Sequence, residues 1–168
     1  GKAICTKFEQ EGYQVIAPTR KEMDLGNPKS VEEYISANKD VCFDVIVNNA
    51  GINEINNITD ITDEELINML NINLSSPIRL LRGFVDNMKK ANYGRIVNIG
   101  SIWATVSKAG RCVYSATKNG IHGVTNTLAV ELAPYNILVN TVCPGFTLTE
   151  LTHKNNTQAQ IEEISKDI

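Results

Sequence analysis

The sequence predicts an α/β fold in which helices cover both faces of a parallel sheet. Three apolar runs, at residues 43–47, 95–101 and 137–142, have the near-continuous hydrophobic character of strands buried on both sides. Longer segments with the apolar spacing of helices separate these runs. Strands that alternate with helices are typical of a doubly wound parallel sheet, whose ligands bind at the carboxyl ends of the strands.

Before the first of these runs, the sequence predicts two helices and two additional strands. Residues 1–12 predict a helix with a glycine just past its C-cap, and Asn27 with Pro28 predicts the start of the second helix. Between the two helices, residues 13–18 predict a buried strand, and residues 23–26 predict a short strand with its exit turn.

The later helices are predicted from their caps and their apolar stripes. Residues 62–92 predict one long helical region, with Thr62 as the N-cap and acidic residues in the first turn. Pro77 predicts a kink, and a bend just before it frees a backbone carbonyl that can hold water. A further helix is predicted over residues 113–135, and an amphipathic helix is predicted to begin at Ile161.

The predicted helix at residues 113–135 carries the most informative pair of side chains. Tyr114 and Lys118 are four residues apart, so a phenol and an ammonium become neighbours on one helix face. A free tyrosine, with a pKa near ~10, is a poor proton shuttle at neutral pH. At ~4 Å and an effective dielectric of ~20, a cation attracts a phenolate by about 4 kcal/mol before screening and desolvation. Ordinary helices also carry Tyr and Lys at this spacing, so the neighbouring motifs must indicate whether this pair is functional.

Ser101 follows an apolar run and is predicted to lie at the carboxyl edge of the sheet. A loop that crosses this edge would bring its hydroxyl to the same ligand as Tyr114. The loop contains Trp103 and Arg111 and is predicted to form one wall of a substrate pocket, to which Phe146 contributes. Whether Trp103 is a pocket platform or ordinary packing stays open.

The composition excludes several classes of protein. The 168 residues include 16 Lys and Arg against 19 Asp and Glu, a net charge of −3, which does not indicate a nucleic-acid partner. The apolar runs are far shorter than the ~18 residues of a membrane span, and no signal segment is present, so we expect a cytoplasmic protein without a membrane partner. The four cysteines are scattered without metal-ligand spacing, and no metal site is predicted.

Five motifs in order resemble the short-chain dehydrogenase/reductase family, and within it the 3-oxoacyl-[acyl-carrier-protein] reductases. The motifs are Asn48-Asn49-Ala50-Gly51, Asn73, Ser101, Tyr114 with Lys118, and Pro144-Gly145 with Thr149. The resemblance runs from Gly1 to about residue 151. It implies a Rossmann-type sheet and an NAD(P)-dependent enzyme that moves a hydride between nicotinamide and a carbonyl or secondary alcohol.

The resemblance also implies a role for each motif. Tyr114 would act as the general acid and base, Ser101 would hold the carbonyl oxygen, and Asn73 would anchor the water of a proton relay that runs through Lys118. Within the cofactor site, Gly1 corresponds to the last glycine of a phosphate loop. The residues implied to bind the cofactor are Gly1, Thr19, Arg20, Asp24 (adenine), Asn49, Ala50, Gly51, Tyr114, Lys118 (ribose), Pro144, Gly145 and Thr149 (carboxamide).

The end of the predicted strand at residues 13–18 bears on the choice of cofactor. NAD-binding sites usually place an acidic residue there for the ribose 2′-hydroxyl, whereas a basic residue suits a 2′-phosphate. Thr19, Arg20 and Lys21 supply a guanidinium and no carboxylate, so NADP(H) is favoured over NAD(H). A solvated turn is the alternative interpretation of Arg20 and Lys21.

Other functional interpretations stay open. The first strand and the last strand of the resembling family fall outside the sequence, so residues 1–168 are expected to be a single, partial domain truncated at both ends. A non-catalytic dinucleotide-binding sensor or scaffold, or an inactive fragment, is therefore the alternative to an enzyme. The substrate could be an acyl-carrier-protein thioester, a sugar derivative or a small ketone. By analogy with the family, a homodimer or homotetramer is expected.

Overall fold

A parallel sheet forms the centre of the fold in the computed structural model, which describes residues 1–106, 108–148 and 150–166. The strands of this described part are β1 (Val45–Asn48), β2 (Gly94–Ile99) and β3 (Ile137–Val142), hydrogen-bonded in the order β1-β2-β3. Ile96 of β2 lies between Ile46 of β1 and Val139 of β3. The α/β class with a parallel sheet is confirmed, and β3 has the predicted bounds.

The helices connect the strands and flank the sheet. Short 3₁₀ turns lie at Ile58–Asp60, Ile102–Ala104 and Ala133–Tyr135. The α-helices of the described residues are α1 (Lys2–Gln10), α2 (Pro28–Ala37), α3 (Asp63–Leu70), α4 (Ser76–Ala91), α5 (Cys112–Leu132), α6 (Glu150–Asn155) and α7 (Gln158–Ile164). The last helix thus begins three residues before the predicted position, and residues 167–168 lie outside the described residues.

Helix ends follow from local sequence. Gly12 adopts φ +85° after α1, a left-handed conformation that glycine reaches without a steric penalty. The Asn27 side chain accepts a hydrogen bond from the backbone N–H of Lys29 and so caps α2. Thr62 and Glu65 form a reciprocal capping box at the start of α3.

The long helical region breaks where the sequence predicts a kink. A π-helical turn, Asn71–Ser75, separates α3 from α4, and Pro77 stands in the first turn of α4. Proline has no N–H to donate and a π turn widens the hydrogen-bonding pattern, which accounts for the interruption of the helix at this point.

The main hydrophobic core lies between the sheet and helices α4 and α5. Gly94 permits close packing there, because a Cβ at this position would lie 2.7 Å from the sulfur of Met88. The buried members of the core are Leu81, Val85, Met88, Ile96, Leu132, Ile137 and Val139. Burial of these side chains fixes α4 and α5 against the strands whose ends carry the site.

Two predicted strands are wrong. Residues 13–18 form no strand in the described structure: Tyr13 is 48% exposed and Ile16 is 50% exposed, and no neighbouring backbone pairs with the segment. An apolar run becomes a strand only where another backbone satisfies its N–H and C=O groups. Residues 23–26 form a turn instead, because the Asp24 carboxylate accepts the N–H of Gly26 at 2.9 Å.

Candidate active site

Tyr114 and Lys118 lie one turn apart on α5, as their spacing predicts. The Lys118 Nζ atom is 5.6 Å from the centroid of the Tyr114 ring. Tyr114 is 9% exposed and Lys118 is 5% exposed, so water screens the ammonium only weakly. Within the same helix turn, the Thr117 hydroxyl donates a hydrogen bond to the Tyr114 carbonyl at 2.7 Å.

The ammonium of Lys118 is held at the end of β2. Its Nζ atom donates a hydrogen bond to the Ile99 carbonyl at 2.7 Å. Burial lowers the pKa of Lys118 to about 8, and the nearby Cys143 thiol opposes this shift when it is ionised. The side chain is therefore mostly charged at neutral pH and becomes neutral just above it.

Ser101 lies at the carboxyl edge of the sheet, two residues after β2 ends. It is 6% exposed, and its Oγ atom accepts the backbone N–H of Trp103 at 3.2 Å. No described residue accepts the hydroxyl proton, which leaves Ser101 free to donate a hydrogen bond to a ligand oxygen. The carbonyl of Pro144 accepts the N–H of Ile102 at 3.3 Å, so the exit of β3 lies against this loop.

Asn73 joins the π turn to the loop after β1. Its side chain forms two hydrogen bonds with the Ile52 backbone, at 2.9 Å to the N–H and 2.8 Å to the carbonyl. A third reaches the Thr117 hydroxyl on α5 at 3.2 Å. Gly51 lies between the Asn73 amide and the Lys118 ammonium. A Cβ on Gly51 would be 3.3 Å from Asn73 Oδ1 and 3.6 Å from Lys118 Nζ. The loop, the π turn and the ammonium therefore meet at one place.

Buried amides hold the strand ends in register beside this place. Asn48 of β1 donates to the side chain of Asn98 on β2 at 2.8 Å, and Asn98 donates to the Thr125 hydroxyl of α5 at 2.9 Å. Neither Asn98 nor Thr125 was predicted from the sequence as a site residue. Their signal is an amide and a hydroxyl within otherwise apolar stretches, where a buried polar group needs a partner.

A comparison with known proteins identifies the group to which this constellation belongs. The family model of the short chain dehydrogenases matches residues 21–160. The chain belongs to the short-chain dehydrogenase family. The resemblance found in the motifs is thereby confirmed, and the family consists of NAD(P)-dependent oxidoreductases that act on CH–OH and C=O groups.

Individual members of the family match over most of the chain. A 3-oxoacyl-[acyl-carrier-protein] reductase of Vibrio cholerae is 32% identical, with 99% of this chain and 76% of that protein covered. The corresponding reductase of Escherichia coli is 41% identical, with 90% and 65% covered. A D-beta-hydroxybutyrate dehydrogenase of Rhizobium meliloti is 36% identical, with 78% and 52% covered.

Solved structures of short-chain dehydrogenases share the fold. One from Streptomyces avermitilis has a TM-score of 0.83 at 28% identity, and a metagenomic short-chain oxidoreductase in complex with NADP has a TM-score of 0.73 at 26% identity. These matches cover 90% and 87% of this chain. The chain spans 63% and 65% of the length of those two structures.

The predicted adenosine edge of this family member differs from expectation. A carboxylate is present there after all, because Glu22 accepts hydrogen bonds from the N–H and the hydroxyl of Thr19 at 2.7 and 2.8 Å. These bonds lower the pKa of the Glu22 carboxyl. The signal that reveals Glu22 is the Thr-x-x-Glu spacing of a capping box. Arg20 pairs with Asp24 at 3.2 Å but stays 82% exposed.

Asp24 is committed to local contacts as well. The Gly26 N–H, more than Arg20, lowers the pKa of its carboxyl. No described hydrogen bond or ion pair joins Thr19, Arg20 or Asp24 to the Tyr114 site. At the other predicted contacts, a Cβ on Gly1 would lie 3.3 Å from the Asn49 side chain, which joins the start of α1 to the end of β1.

Three of the predicted pocket residues, Trp103, Phe146 and Arg111, lie together around the Trp103 ring. The rings of Trp103 and Phe146 meet edge to face with centroids 5.9 Å apart. Trp103 also packs against the small core formed by Met69, Val113 and Tyr114, so its ring contributes to packing. Arg111 lies over the Trp103 ring at 5.2 Å. Thr149, the predicted carboxamide contact, lies outside the described residues.

The described residues hold neither a metal cluster nor a membrane span. No group of three His, Cys, Asp or Glu residues within this part of the chain is arranged to ligate a metal. Likewise, none of its helices has the length and apolar character needed to cross a bilayer.

Proposed function

We propose that the protein is an NADP(H)-dependent oxidoreductase that interconverts a carbonyl and a secondary alcohol, with Tyr114 as the general acid and base. The observation that carries the proposal is the buried Lys118 ammonium, held by the Ile99 carbonyl and 5.6 Å from the Tyr114 ring. A phenol with a poorly screened cation beside it can part with its proton and take it back, which an isolated phenol does poorly.

The residues at the sheet edge fit a dinucleotide. Gly145 has open space where a side chain would stand, so a flat ring can approach its backbone. Gly51 lies close to Lys118, and Asn49 lies close to Gly1. We assign the nicotinamide end to Pro144, Gly145 and Lys118, and the phosphate end to Gly1 with Asn49 and Ala50.

The chain's own residues account for the proton. Bound NADP(H) would supply or accept the hydride. Ser101 and Tyr114 donate hydrogen bonds to the carbonyl oxygen of the substrate, and Tyr114 then passes its proton to that oxygen. Lys118 stabilises the phenolate left behind, and Asn73 holds the loop beside the ammonium. A water held near Asn73 would return the proton from solvent to Tyr114 through Lys118.

The experiment compares two tyrosine variants of the complete protein. Tyr114→Phe is expected to lower kcat by ~10² to 10⁴, the usual contribution of a proton donor, and to leave NADPH affinity nearly intact. Tyr135→Phe is the matched control, because Tyr135 is 41% exposed and also lies under a lysine, at 5.4 Å. Parent-like turnover by Tyr114→Phe contradicts the proposal. NADPH binding without turnover of thioesters, nucleotide sugars or ketones would favour a non-catalytic sensor.

The preference for NADP(H) rests on the exposed guanidinium of Arg20, with Lys21 beside it. The metagenomic relative in complex with NADP supports the same cofactor. Arg20→Ala should raise KM for NADPH by ~10-fold or more while KM for NADH changes little, because a charge-assisted hydrogen bond to the 2′-phosphate is lost. Glu22→Gln is the opposite control and should not weaken NADPH binding. An equal effect of Arg20→Ala on both cofactors contradicts the preference.

We also propose that the protein is a homodimer or homotetramer that pairs through α4 and α5. Val130 on α5 is 79% exposed and Ile78 on α4 is 42% exposed, although both are apolar. Light scattering of the parent and of Val130→Lys tests this assignment. A monomeric parent would contradict it.

A further inference from the structure

Arg111 is a buried cation to which the described residues supply no counter-charge. It is 5% exposed, and its Nε atom is buried without a hydrogen-bond partner in the described structure. The ion pairs of the described residues join other groups, all of them on the surface. An uncompensated buried guanidinium is unfavourable, and proteins retain such a group where a ligand completes it.

The position of Arg111 connects it to the reacting end of the site. It immediately precedes α5, three residues before Tyr114, and its guanidinium lies over the Trp103 ring at 5.2 Å. The same Trp103 ring packs against Tyr114, so one side chain lies against both groups. Burial lowers the pKa of Arg111, and an ionised Tyr114 phenol would oppose that shift. Arginine nevertheless stays protonated at neutral pH.

Arg111 lines a cavity of about 370 Å³ together with the residues that precede it. Its volume suits a small organic molecule. Among the described residues, its lining contains two cations, Arg111 and Lys108, and neither an aspartate nor a glutamate. The side chains of Asn56 and Ser115 add neutral hydrogen-bonding groups to the same lining. The chemistry of this wall therefore favours an anion.

We propose that Arg111 recognises a carboxylate or phosphate group on the substrate whose carbonyl oxygen is held by Ser101 and Tyr114. The inference rests on the proposed oxidoreductase function and narrows its substrates to oxo acids or oxo phosphate esters. A guanidinium binds either anion through two parallel N–H···O bonds, which fixes the distance between the anion and the carbonyl. Neutral ketones would leave the buried charge unpaired.

Matched pairs of probes test the inference through turnover. The carboxylate pair is acetoacetate and methyl acetoacetate, and the phosphate pair is dihydroxyacetone phosphate and dihydroxyacetone. In the parent, the charged member of at least one pair should have the higher kcat/KM. Arg111→Gln should lower kcat/KM for that charged member by at least ~30-fold, as for removal of one partner of a buried charge pair. The neutral member should change by less than ~3-fold.

Controls separate charge from folding. Arg111 makes no side-chain cap at the start of α5, so its replacement removes no helix-capping bond. Arg111→Lys keeps the charge but not the two parallel hydrogen bonds, so it should retain part of the preference for the charged member. Arg82→Gln removes an exposed arginine that pairs with Glu32 and should change neither member.

A binding experiment makes the test independent of turnover. Trp103 is the one tryptophan of the sequence, so its fluorescence reports on the ring beneath Arg111. Titration of the parent with acetoacetate and with inorganic phosphate should give a saturable change for at least one anion, and Arg111→Gln should abolish it.

The outcomes distinguish the two proposals. A loss shared equally by the charged and the neutral member overturns the anion assignment and leaves the oxidoreductase function standing. A linear fluorescence change, or the same saturation in Arg111→Gln, also overturns it. Absence of turnover of all four probes, together with a saturable, Arg111-dependent fluorescence change, supports the anion site and counts against the proposed reaction.

Discussion

Two lysines of this protein lie over tyrosine rings at nearly the same distance, yet only one pair has the properties of a catalytic site. Lys118 is 5.6 Å from the Tyr114 ring, and Lys89 is 5.4 Å from the Tyr135 ring. The first pair is buried at the sheet edge, whereas Tyr135 is exposed and Lys89 has Asp86 3.7 Å away. Burial and a fixed carbonyl partner, rather than distance, therefore allow the ammonium to stabilise a phenolate.

Removal of each ammonium should give the largest contrast. Lys118→Met should lower kcat by ~150-fold, because ~3 kcal/mol of attraction to the phenolate is lost, the value for charges 5.6 Å apart at an effective dielectric of ~20. Lys89→Met should leave kcat nearly unchanged, because Lys89 lies over Tyr135 rather than Tyr114 and its charge is paired with the exposed Asp86. The measurement is kcat at saturating NADPH, so that altered cofactor binding does not enter. Comparable losses in the two variants would show that position on the sheet edge is irrelevant.

Ser101→Ala sharpens the same contrast from the substrate side. The variant should lower kcat by ~10², the usual effect of removing one donor to a developing oxyanion. Ser36→Ala is the matched control, because Ser36 is an exposed serine on α2 whose hydroxyl donates only to the Glu32 carbonyl. If kcat of Ser101→Ala stays at the parent value, Ser101 is not a donor to the substrate oxygen.

The pH dependence of reduction should follow the charge on Lys118. Its pKa of about 8 means that the ammonium is lost just above neutral pH, so kcat for reduction should fall ~10-fold per pH unit above that value. Lys118→Arg keeps its charge at alkaline pH and should move the fall to higher pH. A profile that is identical in the parent and in Lys118→Arg would assign the fall to another group.

The smallest predicted effect is on stability. The pKa of Lys118 is lowered from its ordinary ~10.4 to about 8 in the folded state, a cost of ~3 kcal/mol while both states are protonated. Above pH 8 the folded state releases its proton first, so the free energy of unfolding should rise towards pH ~10.

Lys118→Met removes the buried charge and also the hydrogen bond to Ile99. The free energy of unfolding at pH 7 should therefore rise by ~1–2 kcal/mol, as measured by urea denaturation, and Lys89→Met should change it by less than ~0.5 kcal/mol. A less stable Lys118→Met variant would mean that burial of the ammonium does not destabilise the folded state.

The sequence predicts best what local chemistry decides. The cap at Asn27, the glycine at position 12 and the bounds of β3 follow from residues within a turn or a strand. The Tyr114 and Lys118 pair is also local, since helix geometry alone brings the two together.

Features that depend on distant partners are the ones that the sequence predicts poorly. Residues 13–18 have the composition of a strand, but pairing requires another backbone alongside. The burial of Arg111 depends on how Trp103 and the surrounding loops pack, so it cannot be predicted from the spacing of residues in the sequence. Glu22 is the exception: its link to Thr19 is local, and the spacing that reveals it was present in the sequence.

A double-mutant cycle in single turnovers tests the central claim most directly. Parent, Tyr114→Phe, Lys118→Met and the double variant are mixed with saturating NADPH and substrate at pH 7, and the rate of NADPH loss is recorded. If Lys118 acts through Tyr114, the double variant should be no slower than Tyr114→Phe alone. Two losses that multiply would mean that the lysine and the tyrosine act independently, and would contradict the account.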